Sequence, residues 1–212
     1  MILEMRDCTK RFKENLVIDD ISVTFESGNV YGLQGENGCG KTVILKLLAG
    51  YMPCSDGIVL QDGVPLRKKG RYIKNAGILI ENVRFLPYLT MMENLELLRD
   101  FSPKITRSLV KRWIAYYHLE KFAKTKYKNL SLGTKQKMAL IQAFIHDPDV
   151  LVLDEPMNAL DEESVFLTKN VILQKREQGR LIIMTSHINQ DISDLCNVRY
   201  LVRYGKISEK SV

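Results

Sequence analysis

Residues 35–42, Gly35-Glu36-Asn37-Gly38-Cys39-Gly40-Lys41-Thr42, carry the spacing G-x-x-x-x-G-K-[ST]. Glycines placed this way let backbone N–H groups close around phosphate oxygens, and a helix opening at Lys41 adds the positive end of its dipole. Within such a loop Lys41 reaches the β- and γ-phosphates of a nucleotide, and the Thr42 hydroxyl ligates Mg²⁺. Asn37, Cys39 and the following Val43 complete the expected cradle. About 115 residues later, Val150-Leu151-Val152-Leu153-Asp154-Glu155 supplies the complement. A buried strand brings Asp154 to its tip, where it holds the metal or its waters, and Glu155 acts on an attacking water as a general base. Taken singly, a glycine-rich run is compatible with a plain turn, and Asp-Glu-Pro with a plain strand end. In this order and context they predict a site for nucleotide phosphates and Mg²⁺.

The elements that must position these groups are legible around them. Ile21, Val23 and Phe25 alternate with Ser22, Thr24 and Glu26, the period of a half-buried strand. Gly28-Asn29 turns the chain into a second strand over 30–33, which delivers the glycine loop. The helix from Lys41 ends near Gly50, a helix-stopping glycine. Residues 58–61, followed by Asp62-Gly63, predict one arm of a hairpin. The unbroken apolar runs 150–153 and 181–184 predict strands covered on both faces, as in a parallel sheet. Between them, 161–178 has helical composition, closed by Gly179.

The stretch from about 93 to 128 departs from this pattern. Ser102-Pro103 predicts an N-cap and a first-turn proline, with Ile105, Leu109, Trp113 and Tyr117 forming one stripe of the helix that follows. Another helix is expected around 93–99. The expected architecture is therefore α/β, a P-loop NTPase core with a mostly parallel sheet, an N-terminal antiparallel β region and an inserted helical subdomain. As a single domain over 1–212, it divides into a core of 1–81 and 130–212 and an insertion of about 82–129.

With 212 residues, 45% hydrophobic and 26% charged, the composition is that of an ordinary globular protein. The net charge of +6 gathers in Arg67, Lys68, Lys69, Arg71 and Lys74, and again in Lys121, Lys124, Lys126 and Lys128. A solvated face is the ordinary reading of such clusters; an acidic partner, nucleic acid or lipid headgroups are the others. Apolar runs such as 78–80 and 181–184 are too short to span a bilayer, and residues 1–7 lack the layout of a secretion signal. These features predict a cytosolic chain that meets a membrane only through a partner. Cys8, Cys39, Cys54 and Cys196 show no metal-ligand spacing and read as reduced thiols.

Over almost its whole length the chain resembles the ATP-binding-cassette (ABC) ATPases. Leu130-Ser131-Leu132-Gly133-Thr134-Lys135-Gln136 stands about twenty residues before Asp154, where that family has its LSGGQ signature. By itself Leu-Ser-Leu-Gly is also a good helix cap. The resemblance implies that Ser131 and Gly133 bind the γ-phosphate of ATP held on a second cassette, so that two cassettes act head to tail. It also implies that Asn158-Ala159-Leu160-Asp161 is the D-loop lining that interface. His187 would be the switch histidine that contacts the γ-phosphate, and Phe12 the aromatic that stacks on adenine. Glu81-Asn82-Val83 stands at the Q-loop, where Glu81 replaces the usual glutamine and would offer its oxygen to the metal. Leu132 replaces the first signature glycine and Val43 a common second threonine of the P-loop.

Residues 78–81, Phe85-Leu86-Pro87-Tyr88-Leu89-Thr90, Glu93-Asn94-Leu95 and the Ser-Leu-Gly-x-Lys-Gln signature are similar to one subgroup, bacterial cassettes that export bacitracin-like or lantibiotic peptides. What the resemblance implies is the ATP-hydrolysing motor of a transporter, at the inner face of the cell membrane beside a multi-span permease subunit, with no nucleic-acid partner. Two other readings stand beside it. A non-transport ABC ATPase acting on nucleic acid or the ribosome usually carries long coiled-coil insertions or two cassettes in one chain. A P-loop kinase would leave the signature, the D-loop and His187 unexplained.

Overall fold

The computed structural model describes residues 1–67, 70–81 and 83–210. Lys68 and Lys69 of the first basic cluster, and Asn82 of the Glu81-Asn82-Val83 motif, lie outside the described residues. The chain opens with strands β1 (Ile2–Phe12), β2 (Asn15–Glu26) and β3 (Val30–Gln34), then helix α1 (Lys41–Leu48). Strands β4 (Asp56–Gln61), β5 (Val64–Pro65) and β6 (Ala76–Leu79) follow. Next come helices α2 (Met91–Glu96), α3 (Arg107–Tyr116) and α4 (Leu132–Phe144). The chain closes with β7 (Val150–Leu153), α5 (Glu162–Glu177), β8 (Leu181–Thr185), α6 (Asn189–Leu195), β9 (Val198–Arg203) and β10 (Lys206–Glu209).

Two sheets result. The first, in the order β2-β1-β4-β5, is antiparallel throughout. The second runs β10-β9-β3-β8-β7-β6 and is parallel except where β10 returns along β9. Its central strands are buried on both faces, and the period-2 alternation of side chains divides the interior in two. Leu151, Leu153, Ile182 and Met184 face one core with Met138, Ile141 and Phe144 of α4. Val150, Val152, Leu181 and Ile183 face the other, shared with α1 and the antiparallel sheet. The six-stranded sheet is thus the middle layer, and both strands read as apolar runs because neither face meets water.

Local chemistry explains the element ends. After α1, Tyr51 N–H donates to the Lys46 carbonyl and Gly50 N–H to the Leu47 carbonyl, the paired bonds that close a helix at a left-handed glycine. Asp62 and Gly63, both at positive φ, turn β4 back into β5.

In the helical stretch the structure corrects two boundaries. Ser102 ends a 3-10 turn over Leu97–Phe101, and its hydroxyl accepts Lys104 N–H at 3.3 Å in a turn that opens no helix; α3 starts at Arg107, where the Thr106 hydroxyl accepts from Leu109 N at 3.2 Å. Ile105 therefore precedes the helix. Its buried face runs through Val110, Ile114 and on to Tyr117, leaving Leu109 and Trp113 half-buried at the edge. Similarly, α2 begins at Met91 because Thr90 and Glu93 cap each other, with Glu93 N–H donating to Thr90 Oγ1 and Thr90 N–H to Glu93 Oε2.

Candidate nucleotide-binding and hydrolysis site

The glycine loop leaves the sheet from the end of β3, which lies between β8 and β9. Its path requires glycine: Gly40 has φ 110°, and a Cβ on Gly35 would sit 2.4 Å from the Val202 carbonyl oxygen. Helix α1 has no side-chain cap at Gly40, so the N–H groups of its first turn are left for an external acceptor. Lys41, 8% exposed, folds its ammonium back to donate to the carbonyls of Gly35 at 2.7 Å and Glu36 at 3.0 Å. Positive charge is thereby stored inside the loop. Asn37, Gly38, Gly40, Lys41, Thr42 and Val43 line one small cleft with Asp154 and Glu155. A larger cleft, on the side of His187, is lined by Gly35, Asn37, Gly38 and Cys39 of the same loop.

Strand β7 brings the carboxylates to this loop. Its neighbour β6 accepts the Asp154 N–H at the Leu79 carbonyl, 2.6 Å away. The Thr42 hydroxyl donates to Asp154 Oδ2 at 2.8 Å, and the Thr185 hydroxyl to Asp154 Oδ1 at 2.7 Å. Thr185, fully buried at the end of β8, also accepts the N–H of Glu155 at 2.9 Å. Glu155 adopts a left-handed backbone with φ 47°, a conformation that costs a non-glycine residue about 1–3 kcal/mol. The surrounding bonds hold it there: Glu155 Oε2 lies 2.8 Å from His187 Nδ1 and accepts His187 N–H at 3.2 Å. One continuous network therefore joins Thr42, Asp154, Thr185, Glu155 and His187. Hydroxyl and carboxylate oxygens meeting at 2.8 Å are hard donors of the kind Mg²⁺ prefers, so this corner fits that ion.

Glu81 is placed differently from the expected metal contact. At φ 55°, just past β6, its carboxylate forms an ion pair with Lys46 and its side chain is 60% exposed. Lys46 follows Thr42 by one helical turn, so it lies on the same side of α1 and neutralises the carboxylate there.

Residues 18–158 match the family described as ABC transporter. An uncharacterized ABC transporter ATP-binding protein of Bacillus subtilis (strain 168), YybJ, is 37% identical over 213 residues, spanning 100% of this chain and 98% of its own. This chain belongs to the ABC transporter ATP-binding family. A bacitracin transport ATP-binding protein of Enterococcus faecalis, BcrA, is 28% identical across 99% of this chain and 68% of its own. A solved dimeric ATP-binding cassette, bound to ADP and Pi in a post-hydrolysis state, has a TM-score of 0.86 over 99% of this chain and 98% of its own, at 19% identity. That last likeness is one of fold.

The remaining positions expected for an ABC chain lie outside the phosphate corner. Ser131 caps α4, accepting Thr134 N–H at 3.2 Å, and Leu132 beside it is 67% exposed. Gly133 has no room for a side chain: a Cβ would stand 2.7 Å from the Ala159 carbonyl oxygen, which presses the 158–161 turn onto α4. Asp161 caps α5 through Ser164 N–H and pairs with Lys137 of α4 at 2.8 Å. The Lys137 ammonium, then the Ser164 donors, hold its carboxyl well below the usual range. Neither cleft is lined by Ser131, Gly133 or Asp161. Phe12, 44% exposed at the β1–β2 turn with Lys10 Nζ 5.2 Å from its ring centre, also lies outside both linings.

Three contributors are not read from sequence. Val17, on β2, lines both clefts. Thr185 bonds Asp154 and the Glu155 N–H, and Lys46 pairs with Glu81; their only sequence signals are a threonine ending an apolar run and a lysine one turn after Thr42.

Proposed function

We propose that this chain binds ATP with Mg²⁺ and hydrolyses it as the motor subunit of a transporter. The observation that carries this is the network from Thr42 through Asp154, Thr185 and Glu155 to His187, set beside an uncapped helix start. The loop N–H groups and Lys41 bind the phosphates, and Thr42 and Asp154 would hold Mg²⁺, which neutralises charge on the triphosphate. Glu155 takes a proton from the attacking water, while His187 orients the Glu155 carboxylate and reaches the γ-phosphate. Phe12 stacks on the adenine.

Ser131 and Gly133 complete the γ-phosphate site of a second copy, arranged head to tail, with the 158–161 turn at the interface. ATP closes that dimer, and hydrolysis reopens it. The insertion of about 82–129, hinged at Glu81, passes the motion to a multi-span permease, which places the chain at the cytoplasmic face of the membrane. The residues around Glu81 and the Ser131-Leu132-Gly133 signature favour export of antimicrobial peptides as the cargo class.

Cys39 supplies a direct test. Its sulfur lies inside the glycine loop, and a maleimide there blocks phosphate entry. Saturating ATP with Mg²⁺ is expected to slow Cys39 alkylation at least about tenfold, and the alkylated protein to lose hydrolysis. Equal alkylation rates with and without ATP would remove the nucleotide from this loop.

A further inference from the structure

Two thiols outside the nucleotide site stand together. Cys8 on β1 and Cys54 in the 51–55 loop have their sulfurs 3.1 Å apart, although 46 residues separate them in sequence. Hydrogen bonds on either side hold the two segments together. Ser55 N–H donates to the Thr9 carbonyl at 2.7 Å, Arg11 N–H to Ser55 Oγ at 3.0 Å, and Lys10 Nζ to the Pro53 carbonyl at 2.8 Å. Cys8 is fully buried and Cys54 half-buried, so the pair opens to solvent only through Cys54. Disulfide bonding needs the sulfurs about 1 Å closer, at roughly 2.0 Å. The irregular 51–55 segment between α1 and β4 is free of helix or strand pairing and can supply that shift.

We propose that Cys8 and Cys54 form a peroxide-reactive dithiol that closes reversibly into an intramolecular disulfide. The S–H donated by Cys54 holds the Cys8 thiol below its ordinary value, while the shared bond together with burial pushes Cys54 up. One sulfur attacks hydrogen peroxide, breaking the O–O bond to give a sulfenic acid and releasing water. The second sulfur then displaces the sulfenic oxygen, which leaves as another water. In sum, two thiols lose two electrons and two protons, and one peroxide becomes two waters. A thiol reductant reverses the step. The bridge ties the exit of α1 to β1, four residues before Phe12.

The test treats the reduced full-length protein with a slight molar excess of hydrogen peroxide. Free thiols are expected to fall from four to two, with a Cys8–Cys54 cross-linked peptide lighter by two hydrogens and full recovery in dithiothreitol. The closed loop should raise the Tm by about 5 °C or more. Cys54→Ser and Cys8→Ser should each abolish the cross-link, and Cys39→Ser should keep it. Because Cys8 is buried, Cys54→Ser is the variant to rely on if Cys8→Ser folds poorly. Recovery of Cys8 and Cys54 as separate thiols or as irreversible sulfinic acids, while Cys39 is consumed, would overturn the proposal.

Discussion

Thr185 works through one hydroxyl in two directions, donating to the Asp154 carboxylate and accepting the Glu155 N–H. Replacing it by valine keeps the shape and leaves both groups without that partner. An unsatisfied buried polar group costs about 1–3 kcal/mol, and here the loss falls on the strained backbone of Glu155. Thr185→Val is expected to lower the ATP turnover rate about tenfold or more, with ATP affinity unchanged within a few-fold, as measured by phosphate release and nucleotide titration. Glu81 and Lys46 make a second test. Lys46 neutralises the Glu81 carboxylate on the Thr42 side of α1, and on the proposed function an unpaired charge there would repel the triphosphate, by roughly 1–4 kcal/mol at about 4 Å. Lys46→Met should weaken Mg²⁺-ATP binding, and adding Glu81→Gln should restore it; a double-mutant cycle without coupling would separate the two residues. The P-loop and Asp154-Glu155 were legible in the sequence because their chemistry is set by residue type at short spacing. Thr185 and Lys46 were not, since they meet their partners only after β6, β7 and β8 align beside α1.

At the scale of elements, strands and loop ends follow from alternation and glycine placement, whereas the helices of the 93–128 stretch start elsewhere than their composition indicates. Ser102-Pro103 has the composition of a cap, but Thr106 four residues on has the geometry, and nothing in the local sequence ranks the two. Asp161 shows how one cap joins elements, since it closes the start of α5 while binding Lys137 of α4. Its carboxyl is held below its unfolded value by Lys137 and the Ser164 donors. A depressed folded value stabilises above the unfolded one, near pH 4, and that contribution fades as pH falls through the folded value. Asp161→Ala should therefore lower the Tm by about 2–4 °C near pH 7, for a cap worth about 1 kcal/mol, and the gap should narrow below pH 4. A gap that widens in acid would contradict this account.

The whole molecule keeps its chemistry in two places. The glycine loop, Asp154 and Glu155 meet at the ends of β3, β7 and β8, while the start of α4 presents Ser131, exposed Leu132 and Gly133 away from them. On the proposed function, one chain holds phosphates at the first place and offers a helix start at the second, and two chains head to tail would satisfy both. The measurement that bears on this most directly uses Glu155→Gln, which keeps the side-chain shape and removes the proposed base. Light scattering behind size exclusion, run with ATP and Mg²⁺, should show this variant shift from monomer to dimer with ATP retained, while phosphate release falls at least about a hundredfold. A variant that hydrolyses ATP at the wild-type rate, or stays monomeric with ATP bound, would contradict it.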